Sequence, residues 1–274
     1  MTDKKWYDII INVKDKRNPK VTDLIGRKKE VIKMIDKRRK YFIVLDVETA
    51  NSTKQPLVYD LGFSVCDKQG RIYEQRSYVV SDIFFDEKNI FGNTKLMDTA
   101  YYAEKLPQYY IGLRNGDWKS HPLFKARREI KELMETYNTN IVCAYNCFFD
   151  RNALTTTVRF ISKSAVRWFF PYGTEFYCIW HMACQTICQQ KSYLRFCLEN
   201  GFYSENGNCK TSAETVWAYL TQTPEFEERH TGLEDVKIEI EIMAHCFRQH
   251  KSMDRGINRL CWRLPQSEFK ALLQ

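Results

Sequence analysis

The chain has 274 residues, is 44% hydrophobic and 14% aromatic, and carries a formal net charge of +8. That composition excludes a disordered chain, and the length suits one large domain with a sizeable core. Residues 1–40 hold 14 Lys and Arg against 6 Asp and Glu, whereas residues 41–274 balance at 28 of each, so the basic excess is confined to the N-terminal segment. A basic segment of this kind favours a polyanion such as nucleic acid, although a solvated helix face explains the charge equally well.

No run of about 18 uncharged apolar residues occurs, so no membrane-spanning helix and no membrane association are expected. The stretch "MTDKKWYDIIINVKDKR" is apolar over only a few residues with charge on both sides, unlike a signal peptide. The ten cysteines lie scattered through apolar segments, which reads as reduced, buried thiols and a cytoplasmic chain.

Residues 1–40 read as a separate extension. "VTDLIGRKKEVIKMIDKRRK" sets Leu24, Val31, Ile32 and Ile35 at helical spacing, with Thr22 or Asp23 as N-cap, and predicts a basic amphipathic helix. From residue 41 the pattern changes to β-branched and aromatic runs. "YFIVLDVE", "LVYDLGFSVCD" and "RIYEQRSYVVS" predict three strands, with "KQG" as the tight turn of an antiparallel meander. Residues 81–122 are aromatic and turn-rich and read as an insertion. "LFKARREIKELMETYN" is helical by its spacing, "NIVCAYN" is a strand, and "DRNALTTTVRFIS" is a helix. "EFYCIW" predicts a fifth strand leading into a long helix through Asn200, with Gly201 just past its end. "GLEDVKIEIEIMAHCFRQH" predicts the closing helix of a 41–250 domain, and residues 251–274 are expected to pack on it as a tail. A meander followed by strands alternating with helices predicts an α/β fold, a mixed five-stranded sheet flanked by helices, which is the order of the ribonuclease-H-like class.

Three short stretches carry chemistry. Asp46 and Glu48 are two apart at the end of a strand, so both carboxylates stand on one face and repel unless a cation lies between them. "AYNCFFDRNAL" places Asp150 at a strand-to-helix junction with Asn146 four residues earlier, and "RHTGLED" places His230 and Asp235 five apart at a helix start. Taken singly, each has a plain alternative: surface charge, a helix cap, or a loop histidine.

Together "DVET", "NCFFD" and "HTGLED", in that order and on those elements, resemble the DEDDh exonuclease superfamily, whose members include proofreading subunits of bacterial replicative polymerases and RNase T. The resemblance spans about residues 41–250. It implies a two-metal 3′→5′ exonuclease using Mg²⁺ or Mn²⁺, hard cations that suit carboxylate oxygens. It further implies that Asp46, Glu48, Asp150 and Asp235 hold the metals. His230 would take a proton from the attacking water. Thr49, Asn51, Asn146 and Phe149 flank these motifs and are the candidate substrate contacts. The expected partner is the 3′ end of single-stranded or frayed DNA, releasing nucleoside 5′-monophosphates, with a polymerase or other protein docking on residues 1–40. Two rivals are an exoribonuclease and a non-catalytic module that binds nucleic acid or protein.

Two features depart from that pattern. Glu48 and Asp150 are separated by 101 residues, a long interval whose excess falls on 81–122. Its Tyr101, Tyr102, Tyr109, Tyr110 and Trp118 would suit stacking on single-stranded bases, but a local core under a loop is the preferred reading. "CIWHMACQTIC" offers Cys178, His181, Cys184 and Cys188 as zinc ligands, yet it lies on a strand-to-helix pattern that equally buries small apolar residues, and that plainer reading is preferred.

Overall fold

The computed structural model describes residues 35–36, 38–86, 89–91 and 94–273. The basic helix expected within residues 1–40, and any docking through it, therefore fall almost wholly outside the described residues. Residues 40–274 form one compact unit.

Strands β1 (Tyr41–Ala50), β2 (Leu57–Asp67) and β3 (Ile72–Val80) form the antiparallel meander. Helix α1 (Ser81–Phe84), a small hairpin of β4 (Asn89–Phe91) and β5 (Thr94–Lys95), and helix α2 (Leu106–Asn115) follow. Strand β6 (Ser120–His121) then leads into α3 (Leu123–Thr136). The second half alternates β7 (Ile141–Ala144), α4 (Cys147–Ser162), β8 (Glu175–Cys178) and α5 (Ile179–Thr186). It continues through α6 (Lys191–Glu199), α7 (Ala213–Thr221) and α8 (Gly232–Arg248) to α9 (Gln266–Leu272).

The main sheet has the order β6-β3-β2-β1-β7-β8, with β7 parallel to β1 and β8 parallel to β7. This is the ribonuclease-H-like arrangement, with six strands where five were expected. The sixth, β6, is supplied by the region read as an insertion and pairs with β3 through Val79↔Ser120 and Val80↔His121. A two-residue strand has no periodicity to detect. The long helix expected after β8 is two helices. The chain turns at Ile187–Gln190, and the Gln190 amide caps the Thr186 carbonyl before α6 begins.

Strands β1 and β2 are covered on both faces. On one side Phe42 and Val44 share an apolar cluster with Val236, Ile240 and Met243 of α8. Helix α4 also packs on β1 and β2, and there Thr157 accepts the Val58 N–H at 2.9 Å. The last stretch of the chain joins the core through fully buried Cys261 and Phe269. All ten cysteines are buried free thiols. No described helix is long and apolar enough to cross a membrane.

A close backbone contact sets where α8 begins. Gly62 of β2 sits opposite Asp46 and against Gly232, the first residue of α8. A Cβ on Gly62 would collide with the Gly232 backbone, and one on Gly232 would lie 2.6 Å from the Gly62 nitrogen. Only glycine lets the two backbones approach this far. Gly62→Ala is therefore expected to push the N-terminus of α8 off the sheet, costing about 1–3 kcal/mol. A thermal melt should read this as a loss of roughly 3–10 °C. An unchanged melt would show that the helix end yields without cost.

Candidate active site

Successive side chains of β1 alternate faces, so Asp46 and Glu48 follow Phe42 and Val44 onto the face that α8 covers. Strand β7 ends at Ala144, and the chain turns through Asn146 into α4, which sets Asp150 in the first helical turn, 3% exposed. The Gly62–Gly232 contact brings in Asp235 from the first turn of α8. Parallel β1 and β7 thus deliver their groups at their C-terminal ends, where α/β folds gather ligand sites. All nine residues expected from the sequence line one cavity of about 540 Å³: Asp46, Glu48, Asp150, His230 and Asp235, together with Thr49, Asn51, Asn146 and Phe149.

The acids oppose one another. Burial and then the Asp60 charge push Asp46 up to about 7. Burial raises Glu48 well above the usual carboxylate range, and the charges of Asp46 and Asp235 add to it. Asp150 is raised by burial and then by Asp46, and Asp235 is pushed to about 9 by burial, Asp46 and Glu228. Buried oxygens of Asp235 (Oδ1), Glu228 (Oε1) and Glu239 (Oε2) have no hydrogen-bond partner. Buried acids without partners are what a cation relieves. Glu48, His230 and Asp235 each offer a ligand atom within 4.8 Å of the others, so these three can hold a metal ion.

No protein-family model matches the chain, and no curated protein matches it. Among solved structures it is similar to the zinc-ion-bound form of Escherichia coli exonuclease I in complex with single-stranded DNA. The TM-score is 0.45 at 14% identity, over 74% of this chain and 39% of that one.

His230 has an unusual backbone, φ +53°. A left-handed non-glycine residue costs about 1–3 kcal/mol and persists only where its surroundings hold it. Tyr109 from α2 supplies one hold, its hydroxyl lying 3.1 Å from the His230 carbonyl and 2.8 Å from Asp60 Oδ2. Asp60 also accepts the Gly232 N–H at 3.0 Å, which ties the same loop to β2. Nδ1 of His230 lies 3.9 Å from Glu228 Oε2. Burial lowers the affinity of the imidazole for a proton, which favours the neutral form at neutral pH.

Three residues of this site escaped the sequence reading, and a fourth, Tyr102, was read there only as part of a local core or a base-stacking surface. Glu239 lies one turn beyond Asp235 on α8, lines the cavity and accepts the Tyr145 N–H at 3.0 Å. Its i+4 spacing from Asp235 was a usable signal. Glu228, two residues before His230, is pushed to about 8 by burial and then by Asp46. Asp60 faces Glu48 across the β1–β2 ladder, visible only once the register is known. Tyr102 stacks on the imidazole of His230. Region 81–122 therefore contributes both to a local core and to the site: Tyr109 is fully buried, whereas Tyr101 and Tyr102 line the cavity.

Among the described residues the four candidate zinc ligands form no metal-binding group. The His181 ring contacts the Gly256 carbonyl at 2.9 Å and Asn258 at 3.3 Å, and the Cys178 thiol donates to the Tyr145 carbonyl at 3.3 Å.

Proposed function

We propose that the chain is a metal-dependent 3′→5′ exonuclease acting on single-stranded or frayed DNA ends and releasing nucleoside 5′-monophosphates. The observation that carries this is the convergence, in one cavity, of Asp46, Glu48, Asp150, His230 and Asp235 from three distant stretches of sequence. A volume of about 540 Å³ lies in the range of small-ligand sites. The resemblance of the three motifs supplies the polarity and the reaction class.

The donors fit hard divalent ions, since the carboxylates of Asp46, Glu48, Asp150 and Asp235 line one cavity without a thiolate. Glu48 and Asp235 would hold one ion, Asp46 would be shared with a second, and Asp150 would support it. When bound, such ions activate water and stabilise the departing oxygen. The chain's own groups do the rest. His230, neutral because of its burial, accepts the proton of the attacking water. Glu228, with Oε2 3.9 Å from Nδ1, lies where its charge would favour the imidazolium that forms. Thr49, Asn51, Asn146 and Phe149, which line the same cavity, would contact the terminal nucleotide.

The test is degradation of 5′-labelled single-stranded DNA and RNA, side by side, with Mg²⁺, Mn²⁺ or EDTA. A shortening ladder on DNA that requires metal is the expected result. A ladder on RNA alone would move the reading to an exoribonuclease. Metal-independent binding with no cleavage of either strand would overturn catalysis and leave a binding module.

A further inference from the structure

The ring of Tyr102 lies face to face with the imidazole of His230, with centroids 3.6 Å apart and planes 11° from parallel. Tyr101 meets Tyr102 in an edge-to-face contact at 4.9 Å and 87°. Tyr102 thus contacts both a second tyrosine and the imidazole, and it reaches this place from a segment anchored to β1. The Tyr101 N–H donates to the Thr49 carbonyl at 3.0 Å, and the Asn51 N–H donates to the Thr99 hydroxyl at 2.8 Å. The same segment grips the backbone on both sides of the histidine loop, through Gln108 to the Arg229 carbonyl and Tyr109 to the His230 carbonyl.

We propose that Tyr102 is a positioning residue for His230, holding the imidazole by stacking so that Nδ1 stays near Glu228 while a ring nitrogen stays within reach of Glu48 and Asp235. The backbone hold from Tyr109 fixes where the loop runs but leaves χ1 and χ2 of the histidine free. Something must select among those rotamers, because an imidazole turned away from the cavity cannot reach a water there. Parallel aromatic contact does this without a hydrogen bond, and so leaves both ring nitrogens available. A stacked aromatic pair is worth roughly a threefold to tenfold bias in population. The 81–122 region, long by comparison with the resemblance, therefore has a catalytic reason: it delivers Tyr102 and Tyr109 to one histidine.

The kinetic consequence rests on the exonuclease reading, whereas the stack itself does not, so the two are tested separately. In the metal-free protein, the ring protons of His230 are assigned by their loss in His230→Gln. Removing the ring current in Tyr102→Leu should move them downfield, and Tyr102→Phe, which keeps the ring, should leave them in place. Unmoved resonances in Tyr102→Leu would overturn the stack, whatever the enzyme does. In cleavage assays Tyr102→Leu should lower kcat roughly fivefold to tenfold with KM within about twofold, and Tyr102→Phe should recover most of the loss. A raised KM at unchanged kcat would instead make Tyr102 a substrate contact, and equal losses in the Phe and Leu variants would assign the effect to the hydroxyl. Either result overturns the positioning role. If the wild type cleaves nothing, the exonuclease reading fails, and the resonances still decide the stack.

Discussion

Asp46→Asn is expected to reduce cleavage by about 10³-fold or more while raising the melting temperature of the metal-free protein. The two effects have one cause. The Asp46 charge is among the groups that raise Glu48, Asp150, Glu228, Asp235 and Glu239 alike, which puts it at the electrostatic centre of the cavity. Removing that charge relieves five buried neighbours and leaves the side-chain volume unchanged, so stability should rise by about 1–2 kcal/mol, or roughly 3–8 °C. The same change removes the ligand expected to be shared between two ions, which supply several kcal/mol of transition-state stabilisation. Asp60 gives the contrast. It is also a buried acid beside the site, but its carboxylate accepts hydrogen bonds from Tyr109 and Gly232. Asp60→Leu should therefore lower the melting temperature by removing the one oxygen that accepts from both Tyr109 and Gly232 and leaving two buried donors unpaired. Loss of stability in Asp46→Asn, or retention of more than about a tenth of the activity, would remove Asp46 from the centre of the site.

The parts of this site that could be read from sequence are those set by local pattern. An apolar strand ending in Asp-Val-Glu fixes the face of both acids by its period of two, and the helix periodicity of "GLEDVKIEIEI" places Asp235 on the inward face. Helix α4 was legible too, although it starts at Cys147, three residues before the expected Asp150, since a helix start without a side-chain cap leaves no sharp signal. What stayed hidden depends on pairings across long intervals. Asp60 meets Gly232 over a separation of 172 residues, and its role follows from the β1–β2 register and the Gly62–Gly232 contact. Tyr102 lies in a stretch of short 3₁₀ turns with no amphipathic repeat, so nothing in its neighbourhood distinguishes it from Tyr110, which is half exposed on α2. The Asp-x-Glu pair raised the question of a cation, whereas Glu228 and Glu239 make it sharper, because they add one partly buried and one buried acid to a cavity already lined by four.

Those buried acids make the stability of the metal-free protein depend on pH with a definite sign. Asp46, Glu228 and Asp235 are raised to about 7, 8 and 9 in the folded chain. Their unfolded values lie near 4, so across the interval from about pH 4 to pH 9 the folded state binds more protons than the unfolded state. Stability is then fully present below about pH 4 as far as these groups are concerned, and is lost as pH rises through the folded values. The three share protons and line a cavity that admits water, so their combined effect is smaller than three independent shifts. Between pH 6 and pH 8 the metal-free protein is expected to lose about 2–4 kcal/mol, seen as a fall of roughly 5–15 °C in melting temperature. Adding Mg²⁺ or Mn²⁺ should reverse the loss. Ligands must be deprotonated to bind, so the recovery should be greater at pH 8 than at pH 6, reaching about 2–3 kcal/mol at pH 8 with metal at a hundredfold excess over the Kd there. Melting curves at the two pH values, each with EDTA and with metal, decide the matter. A metal-free protein that melts at the same temperature at both pH values would mean that the acids are already offset by groups within the chain. The need for a cation, and with it the metal-dependent reading of the site, would then fall.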